Sequence, residues 1–179
     1  DPERRTAEIR TAVSHFEKAS RLAPDYPNAY SDIGRCFFLL GDYAEANRFY
    51  QKSLQMDPNH SRTYMQLGEM QYKQKKLEEA LQSFRKASWT SRYNMEARKS
   101  VGAMLALLGR KDEAIRTYLD MLRRRPEDST LLTRLALLYF SKGDYSSGLT
   151  FARRAYDATP TAARGSLDAF IEKLKEQAQ

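Results

Sequence analysis

The stretch Tyr30-Ser31-Asp32-Ile33-Gly34-Arg35-Cys36-Phe37-Phe38-Leu39-Leu40-Gly41-Asp42-Tyr43 decides the fold. Its apolar residues Tyr30, Ile33, Phe37 and Leu40 stand at i, i+3, i+7 and i+10, which is helical spacing rather than strand alternation. Gly41-Asp42 interrupts the pattern, and glycine ends helices because it adopts left-handed backbone angles freely. A second stripe follows at once: Tyr43, Ala46, Tyr50 and Ser53-Leu54. The stretch therefore reads as helix, tight turn, helix.

The same pattern returns at 34-residue steps. Tyr30-x-x-Ile33-Gly34 becomes Tyr64-x-x-Leu67-Gly68, then Val101-Gly102, then Leu132-x-x-Leu135-Ala136. Gly41, Gly109 and Gly143 recur at the turn, and Pro24, Pro58, Pro126 and Pro160 mark the seams where second helices stop. A fixed period of this length means a stack of supersecondary units. Small residues form two columns, Gly34/Gly68/Gly102/Ala136 and Ala46/Ala80/Ala114/Gly148, which allow two helix backbones to approach closely. Tyr50, Phe84 and Tyr118 form a bulky column that fills the remaining space, with Phe16 in register before them.

These columns resemble the tetratricopeptide repeat, over about four full copies and part of a fifth. The resemblance implies an all-α, right-handed superhelical solenoid of helix-turn-helix units, with first helices lining a concave groove and a terminal capping helix. The expected organisation is an N-terminal helix over 1–26, the second helix of a truncated repeat or a cap. Repeats follow at 27–60, 61–94 (irregular end), 95–128 and 129–162, then a C-terminal capping helix over 163–179 whose apolar face is Leu167, Phe170, Ile171 and Leu174.

Departures from the pattern are equally specific. Lys75 replaces the turn glycine in the second repeat, and Arg92 replaces the seam proline, so this seam is expected to turn less sharply. Trp89, the only tryptophan, either fills that seam, as the usual burial of large aromatics suggests, or stands as an exposed anchor. Gly148 and Ala152 replace an alanine and a ring in the fourth repeat, whose second helix is expected to pack more loosely.

Hydrophobic content of 41% and charged content of 30% fit a folded chain rather than a disordered one. The longest apolar run, Cys36–Leu40, is far short of the roughly 18 residues of a membrane span. The chain begins Asp1-Pro2-Glu3 without an initiator Met, which reads as a processed or cut form with targeting information absent or removed. It is expected to be a soluble segment, cytoplasmic or periplasmic, with the compartment unassigned. The net charge of +7 mildly favours an acidic or neutral partner. The densest cationic run, Arg123-Arg124-Arg125, is expected to end a helix and complement its dipole.

No catalytic set emerges. His15 and His60 lie on different units, too far apart in sequence for a metal pair at helical spacing. Cys36 reads as a small buried hydrophobe, and His60, in the turn Asp57-Pro58-Asn59-His60, as a solvated residue. No phosphate-cradling glycine loop is present. Nucleic acid is disfavoured because neither a continuous basic stripe nor a repeated base-reading code runs along the first helices. The reading is no enzyme, no cofactor, no metal, no nucleic acid and no membrane span.

If the first helices line the groove, their non-core faces carry the contacts. These are Asn28, Ser31, Arg35 and Phe38; Arg62, Met65, Glu69 and Tyr72; Lys99; and Thr133, Leu137 and Phe140. Apolar and aromatic groups interspersed with arginine are what an interface core prefers. Some family members hold a C-terminal carboxylate in a Lys/Asn/Arg clamp; this chain carries Ser31 and Arg35 at the Lys and Asn positions, so no such clamp is expected. A second candidate surface is Trp89 with Tyr93. The expected function is a non-enzymatic protein–protein interaction scaffold that binds a peptide segment or helix of a partner protein in the groove. The alternatives are a self-associating, homo-oligomeric assembly module, the interaction domain of a larger enzyme or transport complex, and a small-molecule pocket at Phe38, Tyr72 and Phe140.

Overall fold

The computed structural model describes residues 1–90 and 94–177. Among the described residues there are ten α-helices, one 3-10 turn at Thr161–Ala163 and no strand. The helices are α1 (Pro2–Leu22), α2 (Pro27–Leu40), α3 (Tyr43–Met56), α4 (Ser61–Lys73) and α5 (Leu77–Thr90), then α6 (Met95–Leu107), α7 (Lys111–Leu122), α8 (Ser129–Ser141), α9 (Tyr145–Asp157) and α10 (Gly165–Gln177). No helix among the described residues is long and apolar enough to cross a membrane. The helices fall into two compact units, Asp1–Ser100 and Val101–Gln179.

Aspartates start several helices by accepting otherwise unpaired backbone N–H groups. Asp1 accepts from Glu3, Asp42 from Glu45, Asp128 from Leu131 and Asp144 from Ser147. The turns inside the hairpins need a left-handed residue. Gly41, Gly109 and Gly143 supply it with φ of 82°, 74° and 80°, and Lys75 adopts the same conformation at φ 62°.

In the first unit α2 pairs with α3 and α4 with α5, while α4 also packs on α2 and α3. The glycine column works as the sequence suggests. A Cβ on Gly34 would stand 2.7 Å from the Tyr50 ring, and one on Gly68 2.7 Å from the Phe84 ring. Both rings are buried and each contributes roughly 1.5–3 kcal/mol relative to exposure. α1 packs on α2 in the register of a second helix. Its Ala12 and Phe16 are half-buried and Ala19 is exposed, whereas their register mates Ala46, Tyr50 and Ser53 are fully buried. The difference arises because no first helix covers this face of α1 among the described residues.

His60 is not the solvated turn residue expected. It is half-buried, with Nδ1 2.6 Å from Thr63 Oγ1 and Nε2 3.1 Å from Asn28 Oδ1. Thr63 Oγ1 lies 2.7 Å from Ser53 Oγ, which donates to the Pro27 carbonyl at 2.9 Å. This chain of polar groups joins α2, α3 and α4. Burial pushes the imidazole pKa down, Asp57 and Asp32 raise it, and Arg62 lowers it further.

In the second unit a Cβ on Gly102 would stand 2.5 Å from the Tyr118 ring. The stacked pair Tyr139–Phe151, with centroids 5.4 Å apart, repeats the Phe37–Phe49 stack at 5.5 Å in the first unit. The expected loose packing of α9 does not occur. Leu174 and Ile171 of α10 pack onto Ala136 and Ala152, and a Cβ on Gly148 would stand 3.1 Å from Leu174 Cδ2. A side chain from α10 thus occupies the space that a ring fills in the other hairpins. Arg123–Arg125 end α7 as expected: Arg123 is its C-cap, its N–H donating to the Leu119 carbonyl, and all three are exposed.

Candidate partner-binding surfaces

The first-helix face of the first unit is held by charges that cross from one hairpin to the next. Arg35 donates to Glu69 at 3.0 Å, one repeat away, and Arg62 pairs with Asp32 at 2.7 Å. Both expected groove arginines are therefore tied to carboxylates of the neighbouring hairpin. The half-exposed Arg35–Glu69 pair contributes only about 0.2–1 kcal/mol, while Arg62–Asp32 has its carboxylate largely buried; both link α2 to α4 and orient their polar groups. Between them Met65 is half-buried, and Tyr72, one turn beyond Glu69, is 44% exposed.

Other expected residues are placed differently. Ser31 is fully buried, its hydroxyl donating to the Asn28 carbonyl, so it offers nothing to a partner. Asn28 is half-buried and bonded to His60. Phe38 packs against the first unit's core and against the Tyr43 ring at 6.1 Å. Lys99 is half-buried on α6.

In the second unit Leu137 is 49% exposed on α8. Half-buried Thr133 spends its hydroxyl on the Ser129 carbonyl. Phe140 is covered rather than presented. Its ring meets Tyr145 at 5.6 Å and Phe170 at 5.7 Å, with Lys173 Nζ 5.0 Å above it.

Trp89 does not fill the seam; it is 92% exposed. Tyr93, its expected companion, lies outside the described residues. Trp89 instead borders a crevice with Pro58, Asn59, Tyr64 and Lys86. The sequence signal for that grouping was the 34-residue register, which sets Lys86 and Tyr64 in the same relation as Lys52 and Tyr30. Both lysines sit over their tyrosine rings, at 5.2 and 4.4 Å from the centroids.

Among the described residues two buried side-chain polar atoms lack partners, Tyr50 Oη and Gln66 Oε1. In the second unit Tyr118, at the equivalent position, accepts a hydrogen bond from Arg134, the register mate of Gln66. The Cys36 thiol is buried, and burial together with Asp32 pushes its pKa up, so it is held as an inert thiol. Among the described residues no group of three or more His, Cys, Asp or Glu is placed to hold a metal ion.

Comparison with known proteins agrees with this anatomy. The family model for anaphase-promoting complex (cyclosome) subunit 3 matches residues 6–87, and a tetratricopeptide repeat model matches 94–163. Anaphase-promoting complex subunit 3 of Schizosaccharomyces pombe is 25% identical over 155 residues, covering 81% of this chain and 23% of that protein. Human antiviral innate immune response effector IFIT1 is 28% identical over 152 residues, covering 82% of this chain and 30% of that protein. The chain thus spans 23% to 30% of the length of these curated relatives. Among solved structures, YrrB, described as a TPR protein with an unusual peptide-binding site, superposes with a TM-score of 0.74 at 23% identity, over 93% of this chain and 84% of that one. The glycine-against-ring column, the left-handed hairpin turns and two successive family matches lead to one assignment: the chain belongs to the tetratricopeptide repeat family.

Proposed function

We propose that the chain is a non-enzymatic interaction scaffold that binds an extended or helical segment of a partner protein on its first-helix faces. The observation that carries the reading is the pre-set surface of α2 and α4, where Arg35–Glu69 and Arg62–Asp32 hold two hairpins in register beside the exposed Tyr72 ring. A surface whose charges are already placed loses less freedom on binding. An exposed aromatic beside arginines has the composition of an interface core. Leu137 is the exposed apolar group of the second unit's own first-helix face; Ser31 and Phe140 are committed to internal packing and are left out of the contact set. Peptide binding by YrrB supports the reading by analogy of fold.

The test is capture from native extract by wild type, by Tyr72→Ala, and by the exchange Arg35→Glu/Glu69→Arg. The exchange keeps an ion pair while inverting the charge pattern. A partner retained by wild type and lost by both variants, each equally helical by circular dichroism, supports the reading. Undiminished capture by both overturns it.

A further inference from the structure

The seam between hairpins carries the same crevice twice, with opposite chemistry. In the first unit Pro58, Asn59, Tyr64, Lys86 and Trp89 line a space of about 460 Å³. In the second unit Pro126, Glu127, Leu132, Arg154 and Asp157, with Ala158, line one of about 320 Å³. Position for position these residues stand two 34-residue periods apart. The proline and the cation are kept. The rest is exchanged: Asn59 for Glu127, Tyr64 for Leu132 and Trp89 for Asp157.

The exchange alters charge and surface together. The second crevice holds two carboxylates and one guanidinium, and that guanidinium donates to the Pro126 carbonyl at 3.0 Å. The first holds the Lys86 ammonium and no carboxylate among its lining residues. Tyr64 is steadied by donating to the Pro58 carbonyl at 3.1 Å. Trp89 is 92% exposed at a position where Arg21, Gln55, Arg123 and Asp157 are all polar and exposed. The fold therefore does not need an indole there. Tryptophan is among the residues most often found to anchor a partner.

We propose that the first unit's crevice is a docking site for an acidic, extended segment of a partner protein, which lays an aromatic ring on Trp89 and sets a carboxylate towards Lys86. Charge complementarity selects the segment, and ring-on-ring contact anchors it. The second crevice, at the equivalent positions and with the opposite charge, repels the same segment. This site is separate from the first-helix face and does not rest on the reading of that face.

Because Trp89 is the only tryptophan, its fluorescence reports this site alone. The probe is a blocked Glu-Glu-Phe-Glu-Glu peptide titrated into the intact chain. The expected result is a saturable blue shift that weakens with added salt and is absent with Lys-Lys-Phe-Lys-Lys or Glu-Glu-Gly-Glu-Glu. Asn59→Glu imports the residue the fold already carries at the equivalent position, so folding is preserved while the affinity drops about fivefold or more. Tyr72→Ala, about two turns further along α4 than Tyr64 and outside the crevice lining, leaves the shift unchanged. The proposal is overturned by no saturable shift with the acidic peptide, by an equal response to the lysine peptide, or by unaltered binding in Asn59→Glu. A shift on simply concentrating the chain would assign the crevice to a second copy and overturn it as well.

Discussion

The Tyr50 ring lies so close to Gly34 that a Cβ there would approach its Cδ1 and Cε1 to 2.7 Å. Tyr50 is fully buried and cannot swing away. Gly34→Ala is therefore expected to destabilise by about 1–3 kcal/mol, although alanine is the better helix former. Gly148→Ala provides the contrast. Its nearest neighbour is the end of the flexible Leu174 side chain at 3.1 Å, and the other hairpins carry alanine in that column. It should be within about 0.5 kcal/mol of wild type, from the offset of a slight contact against helix propensity. Urea unfolding of both variants checks the pair; equal losses would refute the distinction.

Lys75 holds a left-handed conformation at φ 62° where the other hairpins use glycine. Side chains with a Cβ are disfavoured there by about 1–2 kcal/mol, and glycine adds unfolded-state entropy of about 0.4–1 kcal/mol. Lys75→Gly should thus stabilise by about 0.5–1 kcal/mol, visible as a rise in the thermal midpoint. An unchanged or lowered midpoint would count against strain at this turn.

The two equivalent tyrosines should respond oppositely to loss of their hydroxyl. Tyr50 Oη is buried without a partner, so Tyr50→Phe is expected to be neutral or stabilising by up to about 1 kcal/mol. Tyr118 receives a hydrogen bond from Arg134, so Tyr118→Phe should cost about 0.5–1.5 kcal/mol. Chemical denaturation of the two variants decides it; a loss in Tyr50→Phe as large as in Tyr118→Phe would remove the basis of the contrast.

His60 gives the stability a pH dependence. Its pKa is lowered from 6.5 in the folded chain, chiefly by burial, so the unfolded state binds more protons in the window below 6.5. Its contribution is fully present above 6.5 and is lost as pH falls through the folded value. His60→Asn, which copies the register mate Asn94 that caps Ala97, should flatten this part of the stability–pH curve. Denaturation midpoints measured from about pH 7.5 down to pH 5 test it; an identical slope in wild type and variant would show that other groups are responsible.

The hairpins were legible in the sequence because their determinants are local: periodic apolar residues, a turn glycine and a small-residue column. Cys36 was legible for the same reason. Where the reading missed, the deciding contact came from another element. Phe140 looked available on its own helix, but Phe170 and Lys173 of α10 lie over it. His60 looked like an ordinary turn residue, yet Asn28, 32 residues earlier, meets it. Ser31 sits on the expected face by helical phase and is buried by its neighbours nonetheless. Glu69, the ion partner of Arg35, was among the candidate groove residues, but its pairing, like that of Arg62 with Asp32, depends on how α2 and α4 lie side by side.

The filling of the Ala152 site by Leu174 makes the end of the second unit directional. Hairpins that own their ring are interchangeable modules, which duplication can multiply without opening a hole. The α8–α9 hairpin is not one of these, because its core is finished by the helix that follows it. A spare hairpin inserted before α8 meets matching surfaces, whereas one inserted between α9 and α10 strands Ala152 beside a void. Lengthening the array there requires restoring an aromatic side chain at position 152 in the same step, so growth in this direction takes two coordinated changes rather than one.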